Sequence, residues 1–178
     1  MSDIRFENEY IRDESVVRES AATNTVFRSG RGRNLVILSL ILAATLGGAG
    51  LLLDNIAIAI YGGVFLLFVA VRLLTSYISL RVRVKRIMKL DAHITAGREP
   101  TCRVTITSKD LIFTLIDNTR VIPLRSIQYA TVTKNLIIFV TNGRYVYPMR
   151  KDSFTTGDTI GCIAFIKAIG MEIRGIEV

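Results

Sequence analysis

The chain has 178 residues, a net charge of +8 and a mean hydropathy of +0.41, and half of its residues are hydrophobic. Two cysteines and one histidine are too few to build a zinc centre, and no C-x-x-C spacing occurs. The charge surplus sits beside the longest apolar runs and is not interleaved with aromatic residues. That pattern argues against nucleic acid as a partner and for anionic headgroups.

Residues 1–33 form a polar N-terminal segment. Asp3, Glu7 and Glu9 and the late start of the apolar run exclude a secretory signal. Ile4, Phe6 and Tyr10 alternate with polar residues in IRFENEY, which predicts a short strand. Asp13 is a candidate N-cap for a helix reaching to about Arg28, with a weak apolar stripe of Val16, Val17 and Ala21. SGRGR, Ser29 to Arg33, reads as a flexible basic joint.

Residues 34–80 hold two apolar runs, 34–53 and 56–80, broken only by Asp54 and Asn55. A helix of about 20 apolar residues spans a bilayer, and in hydrocarbon the backbone must satisfy itself as helix. Asp54 and Asn55 favour a turn, so the pattern predicts a transmembrane helical hairpin. The rest of the chain has too little apolar material to bury both runs as the core helices of a soluble protein. Arg72 lies late in the second run, where its long stem can snorkel to the headgroups. Ala44, Gly47 and Gly48 in the first run and Gly62 and Gly63 in the second are candidate helix-packing residues, because small side chains let helices approach in lipid. They pack the hairpin on itself or mediate oligomers, and the sequence does not separate the two.

Arg28, Arg31 and Arg33 precede the hairpin, Arg81, Arg83, Lys85 and Arg86 follow it, and the connection carries no cation. Positive flanks stay inside, so both termini are expected in the cytoplasm of a multi-pass inner-membrane protein. These seven residues are the candidate contacts to anionic lipid. Residues 81–100 read as a basic juxtamembrane extension of the second helix followed, from Asp91 to Pro100, by a linker or short strand.

From Thr101 the period changes to two. CRVTIT, LIFTLI, TRVIPL, IQYATVT, LIIFVT and RYVYPM are six β-rich segments separated by short turns, an antiparallel meander. Asn142-Gly143 is the strongest turn signal. Pro123 and Pro148 fall late in their strands, where an edge or bulge tolerates a missing donor. From Thr156 to Ile169 apolar residues return at helical spacing, with Ile160, Ile163 and Ile166 on a face that caps the sheet and Gly170 as C-cap. MEIRGIEV, Met171 to Val178, is a final short strand or a tail.

A curved antiparallel sheet closed by a C-terminal helix is the pleckstrin-homology (PH-like) architecture. The fold class is thus a membrane α-helical hairpin plus an α+β domain, residues 101–178, with a PH-like sheet or partial barrel. A hairpin followed by this meander and helix resembles the bacterial YcxB-like family. IPLRSI, Ile122 to Ile127, is similar to that family's short hydrophobic-polar-Ile turn, and PMRKDSF, Pro148 to Phe154, to its Pro-basic-Phe stretch. Leu124 stands where such sequences often have an aromatic residue. The resemblance implies a membrane-bound PH-like protein and, through related proteins, a link to envelope stress or bacteriocin resistance.

No catalytic constellation emerges: no G-x-S-x-G elbow, P-loop or H-E-x-x-H. His93 falls in the expected linker, where a lone histidine is solvated. Asp110, Asp117, Asp152 and Asp158 suit turns and caps. Cys102 and Cys162 sit in apolar contexts and read as reduced structural thiols. Lys134, Arg150 and Lys151 could share a rim with Arg125. No catalytic, cofactor or metal residue is expected. The chain reads as a non-enzymatic anchored interaction module with a protein partner or a second copy of itself, or as an accessory subunit of a larger membrane transport or enzyme complex.

Overall fold

The computed structural model describes residues 3–23, 30–142 and 145–175. The chain divides into two compact units, one made of Met1–Ser20 with Arg86–Val178 and the other of Ala21–Lys85. It is an α+β fold with two long apolar helices.

The first unit begins with β1, Ile4–Ile11, then α1, Glu14–Ala22. Asp13 caps α1: its Oδ1 accepts the Val16 N–H at 2.9 Å and the Ser15 hydroxyl at 2.6 Å. Within the described residues α1 stops at Ala22, and the rest of the helix expected up to Arg28 lies outside them. The Glu19 carboxylate fastens α1 to the turn before Leu136. It accepts from the Thr133 hydroxyl, from the Asn135 N–H at 3.1 Å and from the Asn135 amide at 3.0 Å.

The remaining strands are β2, Thr101–Thr107; β3, Asp110–Leu115; β4, Asn118–Pro123; β5, Ile127–Val132; β6, Leu136–Thr141; β7, Val146–Arg150; β8, Phe154–Thr156; and β9, Ile173–Arg174. They do not form one meander. A five-stranded antiparallel sheet runs β4-β3-β2-β1-β8, and a four-stranded mixed sheet runs β7-β6-β5-β9, with β9 parallel to β5. The break is the single 3₁₀ turn Leu124–Ser126, set after Pro123, whose ring fixes φ at −57° and ends the β4 ladder. Pro123 and Pro148 sit on edge strands, β4 and β7. Gly143 of the expected Asn142-Gly143 turn lies outside the described residues.

β1 is the hinge of the domain. It pairs with β2 from Ile4–Thr107 to Ile11–Thr101 and with β8 on its other side. It also closes the edge of the second sheet through side chains. Asn8, fully buried, donates its amide to the Arg150 carbonyl at 2.6 Å and accepts the Arg150 N–H at 3.2 Å. One side chain thus reproduces the two hydrogen bonds a neighbouring strand would make. The Tyr10 hydroxyl donates to the Pro148 carbonyl at 2.5 Å. Phe113 and Tyr147 meet edge-to-face at 5.3 Å, and Val104, Ile106, Leu111, Ile138, Phe139 and Met149 fill the core.

α4, Thr159–Ala168, packs Cys162 and Ile166 into this core. Asp158 caps its start by accepting the Gly161 N–H at 2.7 Å. Its end is a Schellman motif: Gly170, at φ +75°, donates to the Lys167 carbonyl at 3.0 Å, and Met171 donates to that of Ile166 at 3.2 Å. Ile160, expected on the capping face, is instead 81 % exposed.

The second unit holds most of the two long helices, α2, Gly30–Leu52, and α3, Ile56–Thr95. α2 begins before Asn34, so the backbone of the expected joint from Gly30 onward is helical. α3 continues through the expected linker to Thr95, because nothing between Asp91 and Thr95 breaks it. It ends where Ala96 and Gly97 adopt positive φ, 50° and 83°. His93 is therefore an exposed helical residue rather than a linker residue.

Candidate functional site

The sharp turn between α2 and α3 is made by Asp54, at φ 50°, and by Asn55. Asn55 donates its N–H to the Gly50 carbonyl at 2.8 Å, and its side chain accepts the Ile58 N–H at 3.4 Å. Beyond the turn the helices touch through backbone. A Cβ placed on Gly62 would lie 2.5 Å from the Gly47 nitrogen and 3.2 Å from the Ala43 carbonyl, and one on Gly50 would collide with Ala59. Gly47 contributes its backbone, since its own Cβ would point into open space. Of the five candidate packing residues, Gly47 and Gly62 come together. Ala44, Gly48 and Gly63 are exposed, and nothing lies within 4 Å of a Cβ at Gly48 or Gly63. Ala43 and Gly50, which the first apolar run also holds among its small residues, belong to the contact as well.

The large side chains point outward. In each apolar window only 11 % of residues are buried, and Leu35, Leu38, Phe68 and Leu67 are all more than three-fifths exposed. Arg72 is exposed on the same helix.

Of the expected lipid-contact cations, Arg81, Arg83, Lys85 and Arg86 are exposed on α3 within about 8 Å along its axis. The Arg81 guanidinium lies 4.8 Å from the centre of the Tyr77 ring, a cation–π contact that steers it along the helix. Arg31 and Arg33 fall in the first turns of α2, and Arg28 lies outside the described residues.

In the sheet domain, Asp91 is the sole acid of α3 and is buried, as is most of Arg12. Arg12 Nη1 donates to Asp91 Oδ1 at 3.3 Å, while the Arg12 N–H donates to the Pro100 carbonyl at 2.8 Å. Burial raises the Asp91 pKa, and Arg12 opposes that rise. Among the described residues, Arg12 Nε and Asp91 Oδ2 have no hydrogen-bond partner. The same corner holds Cys102, whose thiol burial pushes up to about 11, and Tyr10, also raised chiefly by burial. Cys162, buried under α4, is pushed up to about 12. Both cysteines are free thiols, neutral and inert near pH 7.

The four cations expected on one rim separate. Lys134 and Lys151 lie together, since Lys151 donates to the Asn135 carbonyl at 2.9 Å, but Arg125 precedes β5 and so sits at the opposite end of that strand. Arg150 is committed to Asp152, at 2.8 Å. A cleft of about 420 Å³ beside Arg125 is lined by Ser108, Leu124, Gln128, Met171 and Glu172. Glu172 in it is held by Arg174 at 2.8 Å. Among the described residues no group of three or more His, Cys, Asp or Glu could hold a metal ion.

No protein-family model matches this chain, and no curated protein matches it either. What sequence reasoning missed is the long-range contacts of Asn8, Tyr10, Arg12, Glu19 and Asp91. The one available signal was Asp91 itself, a lone carboxylate near the basic end of a forty-residue helix.

Proposed function

We propose that this chain is a non-enzymatic interaction module in which a PH-like domain is held against the cytoplasmic face of a bacterial inner membrane by a hairpin of α2 and α3. The observation that carries the reading is where the apolar pair is inserted. It lies between β1 and β2, two strands paired residue by residue along seven positions. Whatever barrier α2 and α3 enter, the chain on either side of them must come back to one side of it for that ladder to form. An out-and-back crossing meets this condition. It agrees with Arg81, Arg83, Lys85 and Arg86 beyond α3 and with the absence of cations at the turn.

The outward-facing leucines and phenylalanines support lipid as their solvent, since a core helix of a soluble protein would bury them. The two sheets closed by β1 and capped by α4 support the PH-like reading. The exposed cations near the start of the cytoplasmic stem suit anionic headgroups, each contributing about 1 kcal/mol of attraction to the leaflet. The chain carries its partner surface on the domain, and a protein or a second copy is the expected ligand.

Fusing a reporter after Val178 and another before Met1 tests the arrangement. Both should report the cytoplasm, and the protein should leave the membrane fraction only with detergent. A periplasmic reporter at either end, or a chain that stays in solution unaided, defeats the reading.

A further inference from the structure

Arg72 is the one cation inside either apolar run. It is exposed, and among the described residues it makes no ion pair. The sole acid of Ala21–Lys85 is Asp54, at the far turn, about 27 Å away along the helix. The one acid of α3, Asp91, lies roughly as far in the other direction and is taken by Arg12. A charge at membrane depth ordinarily pairs with a counter-charge, so that of Arg72 has to come from outside the chain.

Arg72, Ser76, Ser79 and Arg83 fall within a sector of about 60° on α3, while Arg81 and Lys85 fall on the opposite side. A hydroxyl on a helix can bond back to the carbonyls of its own turn. Thr75 donates in this way to the Arg72 carbonyl at 3.0 Å, and Ser79 to that of Ser76 at 2.8 Å. Among the described residues the half-buried Ser76 hydroxyl makes no such bond, which leaves it a free donor between the two arginines.

Helix rise gives the depths. With Ile56 at the outer boundary of a hydrocarbon core about 30 Å thick, Arg72 stands about 6 Å inside the inner boundary, Ser76 at it and Arg83 about 10 Å beyond it. Side chains on a helix lean toward its N-terminus, so Arg83 leans back toward the boundary. The long stem of Arg72 snorkels up to the same level. The two guanidiniums can thus meet one anion at Ser76, from opposite sides.

We propose that Arg72, Ser76 and Arg83 hold the phosphate of one phosphomonoester lipid, of the phosphatidic acid class, in the cytoplasmic leaflet. A monoester carries about −1.5 to −2 charges near pH 7 and three free oxygens. Two guanidinium forks and one hydroxyl match that charge and that number of acceptors. A diester such as phosphatidylglycerol has a single charge and two free oxygens, and its second ester group fills the outer side from which Arg83 comes. Diffuse attraction to the basic flank would not tell the two lipids apart. The inference rests on the anchored reading and names a lipid class for it.

Lipid retention by the purified full chain decides it. The protein in detergent is given equal amounts of phosphatidic acid and phosphatidylglycerol with the same acyl chains, and bound lipid is counted by native mass spectrometry. Phosphatidic acid should be retained at least about fivefold over phosphatidylglycerol. Arg72→Lys keeps the charge but loses the fork, and Arg83→Gln removes the outer partner. Both should bring the ratio to within about twofold of one, and Ser76→Ala should lower it about twofold to threefold. Arg81→Gln removes the same charge on the opposite side and should weaken both lipids alike, leaving the ratio as it was. Millimolar inorganic phosphate should displace neither lipid. Equal retention of the two lipids by the unmodified chain, a preference that survives Arg72→Lys, a ratio that falls as far with Arg81→Gln as with Arg83→Gln, or displacement by free phosphate overturns the proposal. Failure of the anchored reading is visible separately, as protein that leaves the membrane fraction without detergent.

Discussion

The sheet domain and the apolar helix pair put their side chains to opposite uses. In the domain, Val104, Ile106, Leu111, Phe139 and Met149 are wholly inside, and polar groups that would be stranded there are matched one by one, as Asn8 matches Arg150. In the helix pair the large side chains face out, and what lies inside is backbone at Gly47, Gly50 and Gly62. Water drives the first arrangement, because burial of apolar surface is what it rewards. Placed in lipid, as proposed above, the second would have no such drive between its helices and would hold by close van der Waals approach. The domain should therefore be broken by unmatched polarity, and the pair by added volume.

The largest effect is expected at Asp91. Replacing it with Ala leaves the mostly buried Arg12 charge without its partner and should cost about 3–5 kcal/mol of domain stability. The paired change Arg12→Met with Asp91→Leu should recover most of that. Urea denaturation of the four members of this cycle gives the coupling, and additive losses would show that the pair does not act as one.

Asn8→Leu comes next. It strands the N–H and carbonyl of Arg150 and should cost about 2–3 kcal/mol. Hydrogen exchange at Arg150 should accelerate with it, and unchanged protection there would dissociate β1 from the closure of the second sheet.

In the helix pair, Gly62→Leu should cost about 1–2 kcal/mol, because the Gly47 backbone has to move, while Gly63→Leu should be neutral. Unfolding of the helices in graded detergent mixtures separates the two variants, and neither should alter the urea midpoint of the domain.

The smallest effect is expected at the thiols, whose pH dependence shows itself only in alkali. Burial raises both pKa values above the ordinary 9.0, so the folded state favours the protonated thiols. Their contribution to stability is complete below pH 9.0 and is lost as pH rises through about 11 for Cys102 and about 12 for Cys162. Cys→Ala variants should flatten that alkaline slope, and alkylation of the native protein at pH 8 should leave both thiols unmodified.

Much of the local architecture is legible in the residues. Short β-rich segments between turn residues mark β2 to β7, a longer apolar run marks α4, and Asp13, Asp158 and Gly170 sit at the helix ends their chemistry suits. What is not legible is partnership across long separations. IRFENEY reads as a strand, but nothing local says that it pairs with residues about ninety positions later. Arg12 and Asp91 are 79 residues apart, and Asn8 and Arg150 are 142 apart. The glycines show the same limit at short range. Helical spacing places Gly47 and Gly48 on different faces, and only the partner helix decides which of them is inside. β8 is three residues long and carries no periodicity, so no pattern could have revealed it.

β1 precedes the two long helices in the chain and finds its main partner only after them. It leaves the ribosome before α2 and α3, yet the strand it pairs with along most of its length follows both of them. Until then it waits as a lone segment, and β2, once made, offers an open edge where β1 belongs. The β1–β2 ladder thus closes only after the intervening helices have been made. A chain stalled midway presents an unzipped ladder that quality-control proteases can seize, and a free peptide matching Ile4–Ile11 should act as a competitor for the vacant slot.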